Sequence, residues 1–246
     1  MPPDDPILGT GDVPLMVGAP CLQAPGETTM GVSWAVSGLS NGVVEYADNP
    51  DFRDAKTAKG GGYGLVPIDV SALQVRLTGL KPATKYWYRT ITTPFTDYAN
   101  IYNAKLGERV VSPVHTFTTM GAGAAAHFCV INDTHDRKPV LDQVLTKIEE
   151  LKPSVVIWNG DASNSSETIE KAMEIFIHTH KDHPEYAADT PFMFLNGNHD
   201  FRGLANRHLE RVWMYRQPEE RPSRDWDLGR NFAVRMGDIA LVGLDT

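Results

Sequence analysis

Two domains are predicted, an all-β sandwich followed by an α/β unit on a parallel sheet, and three observations carry that expectation. From Pro14 to about Thr119 the chain reads as short strands of period two, cut by turn residues, with no helical period over any long window. After Gly121-Ala122-Gly123-Ala124-Ala125 the apolar spacing lengthens, and short apolar runs alternate with amphipathic stretches. Seven of the eight histidines, all but His115, lie beyond residue 122. The 246 residues, 41% hydrophobic and 22% charged, exclude a disordered chain and suffice for one large core or two small ones. The expected boundaries are a tail at 1–13, the sandwich at 14–120, a linker at 121–125 and the α/β unit at 126–246.

In the first half the candidate strands are Leu15–Leu22, Thr29–Val36, Gly42–Ala47, Gln74–Leu80, Lys85–Thr93 and Val114–Thr119. Apolar residues at the even positions of 30–36 suit a strand half buried against a second sheet, with Trp34 as its anchor. The stretch from Leu77 through Leu80, Pro82, Thr84, Tyr86 and Tyr88 resembles the fibronectin type III domain, whose Leu-x-Pro-x-Thr-x-Tyr corner turns the chain between sheets. That resemblance makes Tyr86 the corner tyrosine. The cluster Gly60-Gly61-Gly62-Tyr63-Gly64 lacks the Gly-Lys-Ser/Thr ending and following helix of a phosphate cradle, and reads as a loop. Phe95 to Asn103 reads as an aromatic loop, with Tyr98 and Tyr102 either packing it onto the sandwich or lining a substrate entrance.

In the second half, 127–131, 155–158 and 192–195 are apolar runs of buried-strand length. Val140, Leu141, Val144, Leu145, Ile148 and Leu151 mark a helix closed by Pro153. Ile169 to Ile177 mark a second helix, with Asn164 and Glu167 as its cap. Phe201, Leu204, Leu209, Val212 and Trp213 mark a third. Such alternation predicts a parallel sheet with right-handed crossovers, and Gly237-Asp238 a hairpin turn between 231–236 and 239–245.

Composition narrows the partners. Residues 1–122 hold 9 basic and 11 acidic side chains and the remainder 14 and 20, for a net charge of −8. Neither half offers the basic surface that nucleic-acid binding requires. No apolar run approaches the ~20 residues of a membrane-spanning helix. Cys21 and Cys129 fall in different predicted domains and read as core thiols rather than a disulfide. Met1-Pro2-Pro3-Asp4-Asp5-Pro6 has neither basic leader nor apolar stretch. Its Pro and Asp content fits the start of a trimmed secreted or periplasmic chain, with the cytoplasm as the alternative.

Each apolar strand ends in a polar cluster: Asn132-Asp133-Thr134-His135, Asn159-Gly160-Asp161 and Asn196-Gly197-Asn198-His199-Asp200. Ligands of open parallel sheets bind outside the carboxyl ends of the strands, so the three clusters should converge. Each alone reads as a helix cap or turn. Together, carboxylates, imidazoles and an amide with no run of lysines or arginines to balance them call for a divalent metal.

Asp-x-His, Gly-Asp and Gly-Asn-His-Asp, in this order at strand ends, resemble the calcineurin-like metallophosphoesterase superfamily, and the preceding sandwich resembles that of its purple acid phosphatase-like members. The resemblance implies two metal ions, iron, manganese or zinc. Asp133 and His135 would hold one, Asp161 would bridge both and Asn198 would hold the second. It also implies a phosphomonoester substrate, or a diester, attacked by a hydroxide generated on the metals, with His199 assisting the leaving group and Asp200 orienting His199. Arg202 reads as an exposed arginine or a phosphate contact. Purple acid phosphatases carry a tyrosine three residues after the bridging aspartate; Asn164 stands there, and with His135 this implies a colourless enzyme.

The superfamily's later histidine and Gly-His-x-His motifs are absent up to Thr246, so the α/β unit is expected to be cut short and metal binding by this chain weak. His178 and His180 have the spacing but precede the Asn-His motif, and with His183 and His208 they are read as surface or packing residues. The alternative to a hydrolase is a non-catalytic binding or adhesion protein whose metal domain is vestigial.

Overall fold

The computed structural model describes residues 16–61, 67–100, 102–177, 183, 185–215 and 231–245. The predicted tail at 1–13, Gly62-Tyr63-Gly64, His178 and His180 lie outside the described residues.

The first half contains β1 (Met16–Gln23), β2 (Met30–Val36), β3 (Ser40–Ala47), β4 (Lys56–Lys59), β5 (Ile68–Asp69), β6 (Ala72–Leu77), β7 (Lys85–Tyr98), β8 (Ala104–Leu106), β9 (Val110–Val111) and β10 (His115–Thr118). Strands β1-β2-β6 face a sheet of order β10-β7-β3-β4, the fibronectin type III-like sandwich implied by the corner motif. Trp34, Tyr88, Leu77, Val32 and Phe117 fill the space between the sheets. Burying an indole leaves its N–H needing an acceptor. Trp34 Nε1 therefore donates to Thr92 Oγ1 at 2.9 Å, linking β2 to β7 across the core. At the corner, the Lys81 amide donates to the Tyr86 hydroxyl at 2.9 Å.

The second half contains β11 (Phe128–Ile131), α1 (Lys138–Leu151), β12 (Val155–Asn159), α2 (Ile169–Phe176), α3 (Tyr186–Asp189), β13 (Phe192–Leu195), β14 (Phe232–Met236) and β15 (Ile239–Gly243). Strands β11, β12 and β13 are parallel and adjacent. Their alternate residues serve two cores. Val156, Trp158, Phe192 and Phe194 pack with Leu145, Phe176 and Trp213 on the helical face. Val155, Ile157, Met193 and Leu195 pack under the β14-β15 hairpin against Phe232, Val234 and Met236. On β12 and β13, burial on both faces explains the continuous apolar runs; β11 is the outer strand, with Ile131 buried and Val130 exposed. Among the described residues no helix is long and apolar enough to cross a membrane.

One sheet runs through both halves. β1 pairs in parallel with β13 through Gln23 and Phe192, giving the order β11-β12-β13-β1-β2-β6. The junction is polar as well as apolar. Buried Gln23 donates to the Val212 carbonyl at 2.9 Å and accepts from the Met214 amide at 3.0 Å. The Tyr88 hydroxyl donates to the Ala188 carbonyl at 2.7 Å. Cys21 packs into the helical core, where burial pushes its thiol up to about 12. Both cysteines are free.

Several sequence expectations need correction. The segment read as a third helix is two 3₁₀ turns, His199–Phe201 and Ala205–Arg211. Between them Gly203 has φ +83°, and a Cβ there would lie 2.3 Å from the Ser166 carbonyl oxygen, so the chain turns where a helix would have run. Phe201 and Leu204 are consequently exposed. On α1, Leu141, Leu145 and Ile148 are buried, but Val140, Val144 and Leu151 face solvent. Helix α2 is capped by Thr168, whose hydroxyl accepts from the Lys171 amide, not by Asn164. Phe95 to Tyr98 continues β7 into a hairpin with β8; Tyr98 packs edge-on against Phe95, and Tyr102 is exposed.

Candidate metal centre

Three loops leave the carboxyl ends of β11, β12 and β13 and are laced to one another by backbone hydrogen bonds. The Asp133 amide donates to the Gly160 carbonyl at 3.1 Å, and that of His135 to the Asp161 carbonyl at 3.0 Å. Thr134 Oγ1 donates to the Ala162 carbonyl at 3.1 Å and accepts from Trp158 Nε1 at 3.2 Å. The His199 amide donates to Asp161 Oδ1 at 2.9 Å, so the third loop orients the second loop's carboxylate.

This lacing holds non-glycine residues in the left-handed backbone region: Asp133 at φ 54°, His135 at 48°, Asp136 at 61° and Asp161 at 50°. A single such residue costs roughly 1–2 kcal/mol. A concentration of them marks a place where side-chain direction outranks backbone comfort. Gly197 is required by close approach: a Cβ there would stand 2.2 Å from Asp161 Oδ1 and 2.5 Å from its amide nitrogen.

The side chains converge. Donor atoms of His135, Asp161 and His199 lie within 4.8 Å of one another. The His135 and His199 rings meet edge to face with centroids 4.3 Å apart. His135 Nε2 stands 3.7 Å from Asp133 Oδ1 and 3.9 Å from Asp161 Oδ2. Asp133 is more exposed than Asp161, and its second oxygen accepts from Asn132 Nδ2. Asn198 immediately precedes His199 and is exposed. His135 Nδ1 and both amide atoms of Asn196 are buried without a hydrogen-bond partner, a costly arrangement for polar atoms not reserved for a ligand. Imidazole nitrogen and carboxylate oxygen together fit a divalent transition metal.

Asp200 has a different place from the one expected. It is fully buried, and its oxygens accept from the Ser163 amide at 2.9 Å and the Gly197 amide at 2.8 Å. Burial raises its carboxyl above the usual range despite these amides. Asp200 thus pins the second and third loops together through the Ser163 and Gly197 amides. The His199 ring is met by Asn164, with Oδ1 2.9 Å from His199 Nδ1, and by Arg202, with a guanidinium nitrogen 2.9 Å from the same atom. Sequence reasoning missed Asn164 because Glu167, three residues on, imitates a capping box; Glu167 actually accepts from the Leu204 amide. His183 and His208 lie apart from the cluster, beside Glu149 and Glu210.

Residues 126–241 match the family model described as calcineurin-like phosphoesterase. Among solved structures, purple acid phosphatase PPD1 from yellow lupin (Lupinus luteus) seeds superposes with a TM-score of 0.63 at 13% identity, over 92% of this chain and 44% of that one. This chain therefore has the fold of a portion of that protein and spans less than half its length. Partial matches include the sensor domain of the anti-sigma factor RsgI4 of Pseudobacteroides cellulosolvens, at 18% identity over 44% of this chain and 97% of that one with a TM-score of 0.29. Another is a fibronectin type III domain from the human KIAA0970 protein, at 15% identity over 40% and 71% with a TM-score of 0.24. No curated protein sequence matches this chain.

Proposed function

We propose that the calcineurin-like phosphoesterase segment, 126–241, provides the metal centre of a hydrolase acting on phosphomonoesters, with phosphodiesters as the related class. The observation that carries this reading is the convergence of His135, Asp161 and His199 from three successive parallel strands, on loops held in left-handed conformations. Asp133, His135, Asp161 and Asn198 are the residues that would hold the metal ions, and Asp161 would serve both. Bound divalent cations, manganese, iron or zinc, would neutralise phosphoryl oxygens and lower the pKa of water.

The chain's own groups do the rest. The His199 amide donates to Asp161 Oδ1 and so sets the orientation of the carboxylate. The His199 ring is the proposed proton donor to the departing alkoxide. Its Nδ1 has two alternative partners: Asn164 Oδ1 accepts when Nδ1 carries a proton, and Arg202 donates when it does not. With Nδ1–H donating to Asn164 Oδ1, the proton for the leaving group comes from Nε2, and Asn164 is a positioning residue that holds the ring through that step; Arg202 can donate to Nδ1 only in the other tautomer. Asp200 keeps Gly197 against Asp161.

The test is hydrolysis of a chromogenic phosphomonoester with added manganese, zinc or iron, by this chain and by any longer form that contains it, each compared with Asp161→Asn. Metal-dependent turnover lost in Asp161→Asn is expected. Turnover no greater than that of the variant in every metal overturns the reading.

A further inference from the structure

The amino ends of β11, β12 and β13 frame a second cavity, of about 300 Å³, on the side of the sheet away from the metal centre. Its walls come from both halves of the molecule: Lys85, Thr116 and Thr118 on the sandwich, Ala124 and Ala125 before β11, Lys152, Pro153 and Ser154 before β12, and Pro191 before β13. Met120 and Met236 add apolar surface. The length of β12, five residues from Val155 to Asn159, places it some 15 Å from the Gly160-Asp161 turn.

Its charge is lopsided. Lys85 and Lys152 both line it and are exposed, and among the described residues neither ammonium has a carboxylate partner. Lys85 Nζ instead sits 5.1 Å from the centre of the Trp87 ring, a cation–π contact that holds it over the sheet face. The acid in the wall, Asp189, is already engaged by the Thr116 amide at 2.6 Å and by His115 Nδ1 at 3.6 Å. In a chain of net charge −8, a wall with two lysines outside any ion pair among the described residues is a local reversal of sign.

We infer that this cavity binds a small organic anion, a phosphate or carboxylate carrying a compact apolar group, with Lys85 and Lys152 on the anion and the Met120-Pro153-Pro191-Met236 surface against its body. The volume lies at the lower end of the range for small-molecule sites, which fits a ligand of that size. The site draws on nothing at the metal centre.

Calorimetric titration of the full chain in a chelating buffer, with phenylphosphonate as the probe, tests this without the metals. Saturable binding of one equivalent is expected, with none of the neutral analogue benzyl alcohol. Lys85→Ala and Lys152→Ala should each weaken binding about tenfold or more, as loss of a charge-assisted hydrogen bond does, while Asp161→Asn leaves it unchanged. Benzoate in a parallel titration separates carboxylate from phosphate as the preferred head group. No saturable binding of either anion, undiminished binding in the Lys85→Ala/Lys152→Ala double variant, or binding lost in Asp161→Asn would overturn the inference. Both lysines are exposed and outside any ion pair among the described residues, so a melting temperature changed little is expected for the variants.

Discussion

The sandwich core and the metal-centre loops solve opposite problems with similar residue types. Around Trp34 the polar atoms are spent on structure: the indole N–H finds Thr92 and the Tyr86 hydroxyl finds the Lys81 amide. At the strand ends polar atoms are held back: His135 Nδ1 and the Asn196 amide are buried without partners, and Asp133, His135 and Asp161 occupy a costly backbone region. Thr29 Oγ1, Gln74 Nε2 and His115 Nε2 are unpartnered in the sandwich half too, so what sets the strand ends apart is unpartnered atoms together with a concentration of left-handed residues.

The sharpest way to break the contrast is at its structural pole. Trp34→Ala should cost about 3–5 kcal/mol in a urea titration, with the metal loops affected only through global unfolding. Next, Gly197→Ala pushes a methyl onto Asp161 and should lower metal affinity about 10- to 100-fold by calorimetry, with a smaller change in melting temperature. At the same pole, Asp133→Gly relieves a left-handed residue and should leave stability equal or up to about 1 kcal/mol higher while metal affinity falls. A residue kept for packing would show the reverse. Thr168→Ala, which removes the α2 cap, should cost about 1 kcal/mol and leave metal affinity alone.

The smallest effect expected is one of pH. Burial alone would raise the Asp189 carboxyl, but the hydrogen bonds from His115 and from the Thr116 amide outweigh it and hold it below the usual value. Its stabilisation is therefore present above the usual carboxyl pKa and is lost as pH falls through the lower, folded value. Melting temperatures of wild type and Asp189→Asn should differ near neutrality and converge in acid.

Much of this was legible in the sequence. The runs at 128–131, 155–159 and 192–195 are apolar at every buried position, and their polar ends could only meet once the strands were parallel. The tyrosine corner is local, so the resemblance carried by Leu80, Pro82, Thr84 and Tyr86 was enough to mark it. What escaped depended on contacts between distant segments. β4, with its sequence Lys-Thr-Ala-Lys, has no apolar alternation to betray it and exists because β3 offers an edge. Asp200 looked like a partner for its neighbour His199, yet its bonds go to Ser163 and Gly197, which only the folded loops bring near. Gln23 gave no sign of being buried, because its partners Val212 and Met214 lie nearly two hundred residues on.

The pairing of β1 with β13 has a consequence for how the α/β unit survives in solution. A parallel sheet ending at β13 would present a row of open amides and carbonyls, a template for any other strand. The sandwich meets that margin at its start, where Gln23 pairs with Phe192 and the Ala24 amide donates to the Phe192 carbonyl at 2.8 Å. The sheet is thereby continued into the sandwich instead of stopping at β13. Severed at the 121–125 segment, the α/β half loses the partners of Phe192, Val212, Met214 and Ala188 and should be less soluble, and the intact chain should melt in a single transition.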